Sequence, residues 1–407
     1  MRPLKIFSLF SVCAALFLPS NLLRADDWYR WRGPNLNGIS SEKNWSPKFP
    51  AEGPKQLWQV NVGTGFSSMS VSQDRVYTMG NANNSDSVFC FDAETGKQIW
   101  KHSYPCPLDP KFYEGGTSVT PTVDGKNIFT LSRKGDVFCL NAEDGKVIWS
   151  KNLAKELGVE IPTWGFAGSP LVENNSLILN VGAAGTALDK SSGKIIWTSG
   201  KAYSGYSSPL PADFDGQHCV VFFAAKSIIA VAPEDGKKIW EHEWKTSYDV
   251  NAADPIIVGD KVFITAGYDH GCALLQIKNR KATVLWENKN LRNHINSSIF
   301  LNGFLFGFDG NAGPKADFKC VEFETGKVKW SEPKLGGGAL MAADGKLIIT
   351  TDRGELIIAE PSPTAFKPIS RAQVLGGKNW TTPVLSNGRI YCRNAKGDLV
   401  CLDVKGK

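Results

Sequence analysis

Ten side chains spread between positions 113 and 380 have the chemistry of a binding surface. They are Tyr113, Glu114, Trp164, Tyr206, Asp249, Asn251, His294, Asn296, Asn379 and Trp380. Aromatic faces mixed with amides and a few charges suit contact with a sugar, a peptide or a protein partner; the competing reading is a polar rim that simply stays solvated. Catalytic chemistry finds less support. No GxSxG, HExxH or phosphate-cradling glycine loop occurs, and His102, His218, His242, His270 and His294 lack metal-ligand spacing. DFDG at 213–216 begins like a calcium loop but lacks the later acidic ligands, so it reads as a plain β-turn. No catalytic residue and no metal site is expected.

The elements that bring these residues to one face are written in a repeat. AETGKQIW at 93–100 recurs as AEDGKVIW at 142–149, KSSGKIIW at 190–197, PEDGKKIW at 233–240 and FETGKVKW at 323–330. Trp58, Trp100, Trp149, Trp197, Trp240, Trp286 and Trp330 mark its period, with spacings of 42, 49, 48, 43, 46 and 44 residues. That length holds four short strands with their turns, which is one propeller blade. Within 117–149 the strands read Ser118–Val123, Ile128–Leu131, Val137–Asn141 and a fourth ending in Trp149. Asp124-Gly125 and two further glycine turns separate them. The glycine of the motif supplies a positive φ, and the tryptophan offers flat apolar area to seal the seam to a neighbouring blade. These seven tryptophans are therefore structural.

Innermost strands begin near Phe66, Thr117, Phe166, Tyr206, Asn251, Ile295, Gly338 and Trp380, which makes eight blades. The last unit stops after its third strand, while KQLWQVNV at 55–62 is a fourth strand with no blade before it. The expected fold is all-β: an eight-bladed β-propeller of four-stranded blades, its last blade closed by that N-terminal strand, leaving no open ring edge. The ten binding candidates lie where the chain comes into the innermost strands. The long connections Lys101–Gly116 and Ser150–Thr163 lie on the same side, the second with a short helix at Asn152–Leu157. Just inside, Ser68, Thr120, Ser169, Ser208, Ser298 and Thr382 are expected to pack and bond at the ring centre. Blade five has Lys278–Lys281 in place of the glycine turn, and blade seven lacks the tryptophan; both read as drift.

Three segments follow: residues 1–25 as a signal peptide, 26–54 as an N-terminal arm, and 55–407 as the propeller. Arg2 and Lys5, an apolar run over Ile6–Leu18 and Leu23-Arg24-Ala25 make the export signal. Lipoprotein processing at Cys13 is disfavoured by Val12. The product is expected to be exported, periplasmic or secreted, with no transmembrane segment. The arm, rich in Pro, Gly and Asn, is expected to pack on the outside through its tryptophans. Arg2, Lys5 and Arg24 carry half of the formal charge of +6, so the rest of the chain is nearly neutral and offers no nucleic-acid footprint. Cys90, Cys139, Cys320 and Cys401 share one repeat position with Ala187 and Ala230, and so read as small buried side chains. Cys392 and Cys401 are the one pair considered for a disulfide.

The glycine turns, the tryptophans and their period resemble the PQQ-like propeller repeat of quinoprotein alcohol dehydrogenases and of an outer-membrane-assembly propeller lipoprotein. WRGPNLNG at 31–38 is similar to the start of many exported bacterial propellers of this group. The resemblance implies the fold over about 55–407 and leaves function open, since one fold hosts unrelated activities. Quinoprotein dehydrogenases carry a vicinal cysteine pair, calcium ligands and a longer chain. This sequence has no Cys-Cys pair, no CxxCH haem motif, and no residues matching their calcium and base sets. The expectation is a monomeric, non-enzymatic binding or scaffolding module, with an envelope protein, carbohydrate or peptide as partner. No cofactor is expected. The alternative is a PQQ-dependent dehydrogenase or another catalytic propeller.

Overall fold

The structure, a computed structural model, describes residues 27–333 and 335–406. The expected signal peptide and Cys13 lie outside them. Eight antiparallel four-stranded sheets form the blades of a propeller. Blade one runs Ser70–Ser72, Arg75–Ala82, Ser85–Asp92 and Gln98–Pro105. Blade eight takes its inner three strands from Val384–Ser386, Arg389–Arg393 and Asp398–Asp403, and its outer strand from Lys55–Asn61. The ring closes as the missing fourth strand requires. Fully buried Arg393 adds a second closure, donating to the carbonyls of Gly63, Ser67 and Met79 at the seam with blade one. Among the described residues the helix is Leu153–Leu157, capped by the Asn152 side chain on the Lys155 amide.

The repeat motif works across seams. Trp100 donates its indole N–H to the carbonyl of Ala142 in the next blade at 3.0 Å, and its ring lies over Gly145 of that blade's turn. A Cβ at Gly145 would fall 2.6 Å from that ring, and the residue's φ is +73°. The glycine is thus required by both its backbone and its neighbour. Trp58, Trp149, Trp197, Trp286 and Trp330 make the same bond to Ala93, Lys190, Pro233, Phe323 and Ser362.

Each Cys or Ala of the shared position sits directly across from a repeat tryptophan. Cys90 faces Trp100, Cys139 Trp149, Cys320 Trp330, Cys401 Trp58, Ala187 Trp197 and Ala230 Trp240. A small side chain there lets an aromatic ring two strands away reach the tryptophan. Tyr77–Trp100, Phe129–Trp149 and Tyr391–Trp58 centroids lie 6.0, 6.1 and 5.8 Å apart. The eight described cysteines are buried and free, and Cys392 pairs with Val400 rather than with Cys401. Burial pushes the Cys401 thiol up to about 12.

Blade five shows what losing the glycine turn does. Asn279 and Arg280 take positive φ in a two-residue hairpin joining Gly271–Lys278 to Lys281–Asn288. That turn offers no carbonyl to Trp240, whose buried indole N–H has no partner among the described residues. In blade seven Ser370 stands across from Ile358 where other blades have the tryptophan, and Phe366, at the place of the turn glycine, packs on Trp330 and Phe318. DFDG is a β-turn, with Asp215 and Gly216 at φ 51° and 74° between the first two strands of blade four.

The arm does not pack wholly outside. It runs along the inner wall of the central channel. Trp28 bridges Val71 of blade one, and the Tyr29 carbonyl accepts from Val123 of blade two. Arg32 then reaches the Ser298 carbonyl of blade six, and Ile39–Ser40 pairs in parallel with Gly338–Ala343 of blade seven. Past the channel, Trp45 bridges Lys405 and the Pro47 carbonyl accepts from Ser370 before the closing strand starts. The physical reason lies in the innermost strands. Their inner edges carry unpaired N–H and C=O groups, and the arm's backbone satisfies some of them.

Candidate functional site

A belt of hydrogen bonds runs around the channel from blade eight through blades one to six. The amide of Ser68 donates to Thr120 Oγ1, that of Thr120 to Ser169 Oγ and that of Ser169 to Ser208 Oγ, at 3.1, 3.0 and 3.0 Å. The Ser208 amide donates to Asp254 Oδ1 and the Asp254 amide to Ser297 Oγ, both at 2.8 Å. Ser68 Oγ reaches the Thr382 carbonyl. The expected small residues therefore bond blade to blade, with Ser297 in the place foreseen for Ser298, whose hydroxyl turns to Asn293. Asp254 is a carboxylate where blades one to four, six and eight have a hydroxyl and blade seven has Ala339.

That carboxylate reads the arm. Trp31 donates its indole N–H to Asp254 Oδ2 at 2.5 Å. Burial raises the Asp254 carboxyl above its usual range, opposed by Arg32, the Trp31 bond and the Ser208 amide. Burial lowers the Arg32 guanidinium, opposed by Asp254. Arg32 gives its hydrogens to the carbonyls of Leu36, Asn37 and Ser298. Each charge is thus partly answered by the other, and both hold the arm beneath the mouth.

Above Trp31 opens a cup of about 800 Å³. Its wall carries Phe66, Tyr113, Trp164, Tyr203, Tyr206, Tyr248, Tyr268, His294 and Trp380, with Asn296 and Asp249 among them. Trp164 and Tyr206 meet edge to face at 6.0 Å, and Phe66 stacks on Trp380 at 5.4 Å. On the rim, Phe112 is fully exposed at φ 64°. Burial lowers His294 to about 4, so its imidazole is neutral at pH 7. Its Nδ1 accepts from the Ala312 amide, which leaves the proton on Nε2. Asn296 donates both amide hydrogens to the carbonyls of Gly338 and Trp380, leaving Oδ1 as its free acceptor.

Of the ten sequence candidates, Tyr113, Trp164, Tyr206, Asp249, His294, Asn296 and Trp380 line the cup. Three do not. Asn251 is buried and donates to the carbonyls of Ala224, Ala225 and Trp244, fixing a chain corner. Asn379 does the same for Gly376 and Gly377. Glu114 pairs with Lys378 at 2.9 Å, which holds that ammonium 4.3 Å over the Trp380 ring. Sequence reading missed Trp31 and Asp254. Aligning the Ser/Thr belt position through the blades would have exposed the second.

An eight-bladed propeller with an aromatic cup at one mouth is a class shared by binding proteins and enzymes. The family model described as outer membrane protein assembly factor BamB matches residues 49–108 and 84–332. The chain belongs to this PQQ-like β-propeller family. Comparison with curated protein sequences gives no match. BamB from Moraxella catarrhalis is similar at 16% identity and a TM-score of 0.64, over 87% of this chain and 98% of that one. The quinohemoprotein alcohol dehydrogenase from Comamonas testosteroni aligns at 13% identity and a TM-score of 0.69, over 95% and 82%. A europium-containing methanol dehydrogenase aligns at 12% and 0.66, over 93% and 90%. At such identities the likeness is one of fold.

The cup's lining does not fit a quinone cofactor with its metal. A polycarboxylate quinone calls for free cationic donors, and the lining offers Lys111, already on the Thr163 carbonyl and near Asp109. Of its carboxylates, Asp249 accepts from Tyr203 at 2.5 Å and Asp254 from Trp31 and Ser208. Among the described residues no three His, Cys, Asp or Glu side chains converge as metal ligands.

Proposed function

We propose that the chain is an exported, non-enzymatic propeller that captures a ligand or partner in the mouth cup. The observation that carries this reading is the cup itself: aromatic walls, a floor supplied by the arm, and charged side chains each already engaged. Such a surface binds by burying apolar area, with a few fixed polar groups setting orientation. The basic and apolar N-terminal sequence, and membership of a family whose model carries the name of an outer-membrane assembly factor, support action outside the cytoplasm. No helix among the described residues is long and apolar enough to cross a membrane.

The dehydrogenase reading rests on likeness of fold alone. It is tested by mixing the protein with the quinone and calcium and following the cofactor spectrum and alcohol-dependent dye reduction. The binding reading expects no stoichiometric spectrum and no turnover. A one-to-one quinone spectrum with turnover would overturn it.

A further inference from the structure

The cup's chemistry narrows its ligand, and this inference rests on the binding reading above. Its charged side chains, Lys111, Asp249 and Asp254, are all partnered within the protein. A polyanion or polycation entering the cup would therefore lose hydration without gaining a free counter-charge. The Trp380 ring already carries the protein's own Lys378 ammonium. A purely apolar ligand fits no better, because it would strip water from polar edges and leave them unpaired. Those edges are the neutral His294 imidazole and the Asn296 carbonyl oxygen, each held in one orientation by backbone groups.

We propose that the cup takes a neutral short oligosaccharide, its C–H faces stacked on aromatic rings and its hydroxyls bonded to His294 and Asn296. Trp31 is the floor ring, and Asp254 is the positioning residue that fixes it. Trp164, in edge-to-face contact with Tyr206, forms the facing wall. A sugar ring has one face of C–H groups and a rim of hydroxyls, so it uses both kinds of surface at once. The cup's volume lies within the range of ~300–1,000 Å³ typical of small-molecule sites.

The test is titration of the full chain with maltotriose, cellotriose and chitotriose, followed by calorimetry. Tetralysine and the quinone serve as charged probes and a fluorescent anilinonaphthalene as an apolar one. The expected result is saturable binding of at least one neutral trisaccharide. Trp164→Ala should weaken it tenfold or more, and Asn296→Ala should weaken it as well, with some loss of Tm from the lost bonds to the Gly338 and Trp380 carbonyls. Trp31→Ala should abolish it, with the Trp164 variant as the control should the arm unfold. If only a charged or apolar probe binds, and Trp164→Ala weakens that binding, the sugar proposal falls while the binding cup stands. If no probe binds, both fall.

Discussion

Trp31 and Asp254 lie 223 residues apart in the sequence and meet through a 2.5 Å hydrogen bond beneath the mouth of the ring. The bond joins the N-terminal arm to the one blade whose belt residue is a carboxylate. It makes the arm a part of the propeller's interior, with Trp31 and Asp254 both lining the cup.

Replacing Asp254 with alanine removes the acceptor of Trp31 and of the Ser208 amide, and leaves Arg32 buried without its counter-charge. Leaving a buried donor without its acceptor costs about 1–3 kcal/mol. The expected outcome is a lower Tm and faster proteolysis within residues 27–54. An unchanged Tm with an equally protected arm would show that Asp254 does not hold it.

The seam tryptophans give a paired comparison. Trp100→Phe loses the bond to the Ala142 carbonyl and should cost about 1 kcal/mol beyond the ring area it removes. Trp240→Phe loses an indole N–H that has no partner, so relief of that buried donor offsets the smaller ring. The Trp240 variant should therefore melt higher than the Trp100 variant. Equal losses would mean that the indole bond adds nothing to the seam.

His218 ties blade four to blade three and should make the seam sensitive to pH. Burial alone would lower its pKa, but hydrogen bonds to Asp213 at 3.0 Å and Glu173 at 2.6 Å raise it above the ordinary value. A raised histidine stabilises fully below the unfolded value of ~6.5 and loses that contribution as pH rises through the folded one. Wild type should thus lose Tm relative to His218→Gln between about pH 6 and pH 9. A constant difference over that range would count against the ion pairs.

Most of the ring was legible because its information is local. A glycine turn, a tryptophan after it and a period in the forties each act within one blade, and the orphan strand around Trp58 announced its own partner. The arm was not legible in the same way. Trp28, Gly33, Pro34 and Asn35 look like an exterior loop, and the wall they meet is assembled from blades one to seven, far apart in sequence. Seven of the ten mouth candidates line the cup, since strand position predicts which end of a blade a side chain occupies. It does not predict its direction, so Asn251 turned to backbone carbonyls and Glu114 to Lys378. Asp254 did not stand out, because the Ser/Thr belt position it occupies shows only when the blades are aligned with one another.

The central claim, that a neutral sugar occupies the cup above Trp31, is tested most directly by fluorine NMR of protein carrying 5-fluorotryptophan at its 13 tryptophans. Single replacements assign the signals. With saturating trisaccharide, Trp31, Trp164 and Trp380 should shift while the seam residues Trp58, Trp100 and Trp149 stay in place. Shifts confined to the seam tryptophans, or no shift at all, would contradict the account.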